Sequence, residues 1–196
     1  MQAHKMTSKL SLAVSAGLML ACGVAEAHPG HGGHGLSAGL IHPLGLDHLL
    51  AMVAVGAWST RALPARRAAL GPLVFMLSLL AGALVGMATG AIGGVEPLVA
   101  TSVVLLGLLL AGGHRGSVSG GMALVATAGL VHGLAHGAEW PAATSALAYV
   151  VGFLLSTAAL HGAGLSLGLV ARRASPRVWQ LAGALLGASG LWLLAR

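Results

Sequence analysis

The sequence is poor in charged residues and in cysteine. Only 7% of its 196 residues are charged, and 57% are hydrophobic, whereas a water-soluble domain carries about a quarter charged residues. This composition excludes an ordinary soluble domain and predicts an all-α fold, a polytopic helical bundle in contact with membrane lipid. The single cysteine, Cys22, lies in a segment that we expect to be removed, so the mature chain would have neither a disulfide nor a thiolate ligand.

Acidic residues are especially scarce, and the formal net charge is +6. The arginines lie between apolar segments without interleaved aromatic residues, which is the pattern of the positive-inside rule and predicts no nucleic-acid partner. A periplasmic mature N-terminus would place on the cytoplasmic side Arg61, Arg66, Arg67, Arg115, Arg172, Arg173 and Arg177. We therefore expect both termini in the periplasm.

Residues 1–27 have the features of a secretory signal peptide. Two lysines precede an apolar core, and Ala25-Glu26-Ala27 forms a small-x-small cleavage site. The alternatives are an uncleaved first transmembrane helix and a lipoprotein signal ending at Cys22. Cleavage would leave His28 at the start of a periplasmic leader, residues 28–37, rich in histidine and glycine. This leader either collects metal outside the membrane or is a flexible segment that binds metal only incidentally.

Residues 38–196 are predicted to form a six-helix transmembrane domain. Its six apolar segments are residues 38–58, 68–90, 96–112, 118–138, 141–170 and 177–195. The fifth is longer than a straight crossing needs, so we expect a tilt or a break near His161-Gly162-Ala163-Gly164. Glycines recur at four-residue spacing in the second and sixth segments, which suits close helix packing within one chain, with a homo-oligomer as the alternative.

Ten histidines accompany only four acidic residues, and several of these polar groups stand inside apolar segments. The first group is His42-Pro43-Leu44-Gly45-Leu46-Asp47-His48. At about 100° per residue, His42, Asp47 and His48 do not share one face of a regular helix. For all three to meet one ion, the first turn must be irregular, and Gly45 makes this easier.

The second group lies in the fourth segment. His132, His136 and Glu139 are spaced i, i+4 and i+7, which places them on one helix face. Under the expected topology both groups fall in the periplasmic half of their helices and can converge. Ionisable residues inside membrane segments usually mark an ion path. Either group alone could instead be a hydrogen-bonded structural pair.

Two further residues are candidates for the same path. Glu96 stands at the start of the third segment beside Pro97, as a loop carboxylate or as a ligand or entry charge. His161 lies deeper, in the cytoplasmic half of the fifth segment, as an exit station or as a histidine bonded to a backbone carbonyl. Imidazole and carboxylate without thiolate suit nickel, cobalt or zinc, and ligand type does not separate the three.

With both motifs in view, the sequence resembles the HupE/UreJ family of nickel and cobalt transporters across the whole mature chain. The resemblance rests on the first group, on His132-Gly133-Leu134-Ala135-His136-Gly137-Ala138-Glu139, and on a signal peptide followed directly by histidine. It implies a six-helix permease of the bacterial inner membrane, with nickel or cobalt as substrate and no bound cofactor. The metal-handling residues that it implies are His42, Asp47, His48, His132, His136 and Glu139, with His28 as a first contact.

Two other classes of function fit the same residues. An intramembrane zinc-dependent hydrolase would hold its metal with three ligands and use Asp47 or Glu139 as base. A subunit that only presents metal to a partner is the third hypothesis. Metal retained tightly through purification favours the hydrolase, whereas rapid exchange and flux favour transport.

Overall fold

The structure, a computed structural model, describes residues 35–90, 92–112, 117–140 and 145–196. Within these residues all regular secondary structure is helical, in agreement with the predicted all-α class. The predicted signal peptide and His28 lie outside the described residues. The α-helices are α1 (Leu36–Ile41), α2 (Leu46–Ala62), α3 (Leu70–Thr89), α4 (Val95–Gly112), α5 (Val118–Ala138), α6 (Ala146–Val170) and α7 (Pro176–Leu194).

Capping residues and glycines fix where the helices begin and end. The Ser117 side chain accepts a hydrogen bond from the Gly120 amide at the start of α5, and Ser145 caps α6 in the same way through Ala148. Gly90, with φ of 72°, ends α3, because this backbone conformation favours glycine. Each predicted apolar segment thus contains one long helix.

The first predicted segment is broken rather than continuous. A 3-10 turn, His42–Leu44, links α1 to Gly45, and α2 begins at Leu46. The two parts meet at an angle of 77°. Pro43 has no amide hydrogen to donate, and Gly45 takes an extended ψ of 144°, so the helical hydrogen bonds cannot continue through this point. The irregular turn expected between His42 and His48 is therefore present.

Three helix pairs make the main contacts of the bundle: α3 with α5, α4 with α7, and α2 with α6. Helix α2 also contacts α3, α4 and α5, while α1 packs on α6. Met52, Phe75 and Phe153 are fully buried in the shared core, whereas many leucines on the outer faces are exposed. An apolar outer surface of this kind suits contact with lipid.

Glycines allow the α3 and α5 backbones to touch. A Cβ atom added at Gly82 would overlap the carbonyl oxygen of Leu130, and one added at Gly133 would overlap that of Leu79. In the α4–α7 pair, Gly107 and Gly183 meet in the same way. Gly82, Gly86 and Gly183 thus serve packing within one chain, as expected, whereas Gly90 has no atom within 4 Å of its Cβ position and serves to end α3.

In the part of the chain that the structure describes, four helical segments are long and apolar enough to cross a membrane, namely Ala65–Thr89, Val95–Gly112, Val118–Ala138 and Ala146–Arg173. The bent pair Leu36–Leu44 and Leu46–Ala62 makes a fifth if it counts as one span. The chain is therefore a multi-pass membrane protein. The sixth crossing, which α7 would supply, stays a prediction, as does the direction of insertion.

The predicted break in the fifth segment is wrong. Helix α6 runs without interruption from Ala146 to Val170. Gly164 lies against the backbone of Val53 in α2, and nothing lies within 4 Å of a Cβ built at Gly162. Gly164 thus allows close approach of α2, and neither glycine interrupts α6. The alternative, a tilted helix, stays a prediction.

Replacing Gly133 by alanine should destabilise the protein. The new Cβ would meet backbone atoms of Leu79 and Ala83, which cannot rotate away, and overpacking of this kind costs about 1–3 kcal/mol. We expect a lower midpoint of thermal unfolding in detergent. Gly162→Ala is the matched control, because its methyl group enters open space in a helix and should leave stability unchanged or raised. Equal stability of the two variants would contradict the packing described.

Candidate metal site

Three imidazoles meet where α2 begins and α5 ends. Ligand atoms of His42, His48 and His136 all lie within 4.8 Å of one another. His42 comes from the 3-10 turn before the break at Gly45, and His48 from the first turn after it. A divalent ion such as zinc binds imidazole nitrogens at about 2.0–2.1 Å, which sets two ligand atoms roughly 3–4 Å apart. Small rotations of the rings would bring the three nitrogens into this range.

His136 has the most unusual environment of the three. It is fully buried, and neither of its ring nitrogens has a hydrogen-bond partner among the described residues. Its ring lies between Phe153, with centroids 5.3 Å apart and planes 7° apart, and His48, at 4.3 Å. A buried polar atom without a partner costs about 1–3 kcal/mol. A bound cation would supply the missing interaction.

His42 is held by an acidic residue. Its Nε2 lies 2.9 Å from Oε2 of Glu139, whose side chain is half exposed. Because a carboxylate only accepts, the proton of a neutral His42 ring lies on Nε2 and leaves the lone pair of Nδ1 available for a cation. A carboxylate behind a ligating histidine is a common arrangement at protein metal sites.

Asp47 lies on the other side of the cluster. Its Oδ1 accepts a hydrogen bond of 2.8 Å from the His48 amide and stands 4.0 Å from Nε2 of the same residue. This separation matches that of two ligand atoms on one ion. The structure therefore places Asp47 where its carboxylate can accept from an amide in the first turn of α2, contact a cation, or do both.

His132 lies beside the three-imidazole group, between His48 and α4. Its Nδ1 faces Nδ1 of His48 at 2.5 Å. Its Nε2 lies 2.9 Å from the hydroxyl of Ser102, which in turn bonds the Val99 carbonyl. Both nitrogens of His132 thus already have protein partners, in contrast to those of His136.

The remaining candidates lie outside the group of three. Glu96 is exposed in the first turn of α4. His161 is buried in α6 and donates from Nδ1 to the Thr157 carbonyl at 2.8 Å, so the bond to a backbone carbonyl is observed. Among the described atoms its Nε2 has no hydrogen-bond partner. Phe75 contacts both His132 and His161, with ring centroids 5.6 and 5.0 Å apart.

The chain is similar to proteins of a known family. The family model described as HupE / UreJ protein matches residues 16–193. The chain belongs to the HupE/UreJ family. It is also 37% identical over 173 residues to Protein HupE of Rhizobium leguminosarum bv. viciae, which covers 87% of this chain and 90% of that protein. No solved structure matches the chain.

Sequence reasoning missed three side chains that surround the HupE/UreJ motifs. Ser102 bonds His132, Phe153 stacks on His136, and the Tyr149 hydroxyl donates to the His136 carbonyl at 3.2 Å. Ser102 was detectable as a hydroxyl in the middle of an apolar span. Tyr149 is the only tyrosine in the chain, but nothing in the sequence pairs it with residue 136.

In this HupE/UreJ protein, His136→Phe should stabilise the metal-free state. The phenyl ring keeps the contact with Phe153 and removes two buried nitrogens without hydrogen-bond partners, which should raise the free energy of unfolding by about 1–3 kcal/mol. The measurement is thermal unfolding in detergent with a chelator present. His42→Phe is the control and should destabilise, because it removes the bond to Glu139. A His136→Phe protein that is less stable than wild type would contradict this account.

Proposed function

We propose that the chain imports nickel or cobalt across the bacterial inner membrane, with the divalent ion as its substrate. The observation that carries the proposal is the group of three imidazoles, two of them buried, in which His136 has no hydrogen-bond partner for either nitrogen among the described residues. Membership of the HupE/UreJ family supports transport and supports these two metals. Imidazole and carboxylate ligands without thiolate also suit them.

The carboxylates explain how a hydrated cation reaches the cluster. Glu139 is half exposed and bonds His42, so its charge is at once accessible from outside and adjacent to the site. Asp47 adds a second carboxylate beside His48. Negative charge at the mouth of a cleft raises the local cation concentration. The imidazoles of His48 and His136 then replace water ligands in the buried part of the site.

The orientation and the outermost contact belong to the same proposal. With both termini in the periplasm, the imidazole group opens toward the outer face, and the leader that begins at His28 can deliver the ion to it. Glu96 at the start of α4 would add charge at the same side. Lipid surrounds the bundle, and a homo-oligomer is a further proposal.

Uptake into vesicles that contain only this protein tests the proposal. We expect wild type to accumulate labelled nickel or cobalt, and His48→Ala and His136→Ala to lose accumulation by about 100-fold, because each removes a ligand of the buried ion. Gly162→Ala, outside the cluster, is the control and should accumulate normally. Normal accumulation by both histidine variants would defeat the proposal.

The same vesicles separate the other two classes of function. A subunit that presents metal to a partner would bind metal but show no flux when reconstituted alone. A zinc-dependent hydrolase would retain its metal through purification, whereas a transporter exchanges it rapidly. Parallel runs with nickel, cobalt and zinc, with and without a proton gradient, identify the preferred metal and the driving force.

His161 is proposed as the next station on the way inward. Its Nδ1 donates to the Thr157 carbonyl, so Nε2 keeps a lone pair for a cation. The Phe75 ring contacts both His132 and His161 and therefore lies between the outer group and this residue. His161→Leu should lower the rate of uptake while cobalt binding at the outer group is retained. Isothermal titration and vesicle flux measure the two properties separately. A variant with normal flux would exclude His161 from the path.

A further inference from the structure

We infer that Ser102 is a positioning residue, which sets the tautomers of His132 and His48 through a chain of hydrogen bonds. The chain runs from the Val99 carbonyl through Ser102 and His132 to His48. His132 then serves as the support of a ligand and not as a ligand itself. This inference deepens the proposed function and rests on it for the two tests that measure cobalt binding, whereas the third test needs no metal.

The first step is the direction of the Ser102 hydroxyl. Its single hydrogen is donated to the Val99 carbonyl oxygen, at 2.7 Å, because a carbonyl oxygen only accepts. The serine oxygen therefore accepts from the ring of His132, whose Nε2 lies 2.9 Å away. His132 must carry its proton on Nε2.

The second step follows from the chemistry of neutral imidazole, which has one protonated nitrogen and one lone pair. With its proton on Nε2, His132 presents the lone pair of Nδ1 to Nδ1 of His48. His48 therefore donates from Nδ1 and keeps its lone pair on Nε2. That nitrogen stands on the side of Asp47, 4.0 Å from its carboxylate.

The consequence is a division of roles within the histidine cluster. His42, His48 and His136 supply the ligand atoms that lie together, while His132 uses both of its nitrogens in the chain. Water cannot readily replace these hydrogen bonds, because His132 is fully buried and Ser102 is only 6% exposed. Partners that orient a metal ligand in this way typically change metal affinity by about 10–100-fold when they are removed.

Cobalt titration of the purified full chain in detergent, followed by its visible absorption, tests the role of Ser102. Ser102→Ala should weaken cobalt binding at least 10-fold, and Ser102→Thr, which restores a hydroxyl, should recover most of the loss. Ser189→Ala is the matched control. Its hydroxyl also bonds a carbonyl of its own helix, that of Leu185, but lies on an exposed face, so binding should not change. Wild-type affinity in Ser102→Ala, or no recovery in Ser102→Thr, would overturn the inference.

Substitution of His132 itself distinguishes a support from a ligand. His132→Asn keeps an acceptor near the position of Nδ1, so cobalt binding should weaken but remain measurable. His136→Asn removes a ligand ring and should abolish it. Equal and complete loss in both variants would show that His132 binds the ion directly and would overturn the division of roles.

Nitrogen NMR of histidine labelled with nitrogen-15 gives a test that needs no metal. In wild-type protein freed of metal by a chelator, we expect a single tautomer of His132 with the proton on Nε2. In Ser102→Ala we expect a mixture of the two tautomers. An unchanged spectrum in Ser102→Ala would overturn the inference. If the wild-type protein bound no cobalt at all, the proposed function would be wrong. The tautomer measurement would still show whether the hydrogen bonds from Ser102 through His132 to His48 form.

Discussion

A buried imidazole between membrane helices has no water at hand, so its nitrogens must find partners within the protein or on an ion. Four of the histidines meet this constraint at least in part through protein groups. His42 bonds Glu139, His132 bonds Ser102, His48 bonds His132, and His161 bonds the Thr157 carbonyl. Among the described residues His136 bonds no such group through either nitrogen. His136 therefore has the largest unmet hydrogen-bonding capacity among these five rings, and a cation fits beside it.

Two features of the backbone build the site around this constraint. The break at Gly45 lets His42 and His48, which would not share one face of a regular helix, approach the same ring of α5. Glycines along α3 and α5 bring those two backbones into contact. Phe75 of α3 consequently packs against His132. Helix α5 thus carries both the glycines of the close backbone contact and the histidines of the site.

The charges are arranged in a way that supports the proposed import of a cation. Carboxylates stand at the accessible edge, in Glu139 and Asp47, and neutral rings stand in the buried part. Under the proposed function, a divalent ion would exchange its water for these carboxylates and rings one ligand at a time, so that no single step would carry the whole cost of dehydration. Membership of the HupE/UreJ family agrees with this arrangement and supports nickel or cobalt as the ion.

The sequence alone predicts the helical membrane class, most of the long helices and the two histidine motifs, because apolar runs and i, i+4 spacing are local properties of the chain. It also indicated the irregular turn at Gly45, since helical geometry separates His42 from His48. The fold was needed to show that Ser102 and Phe153 stand behind the site and that α6 continues without interruption past Gly162. These facts depend on which helices pack together. Local sequence patterns do not show which residues far apart in the chain come into contact.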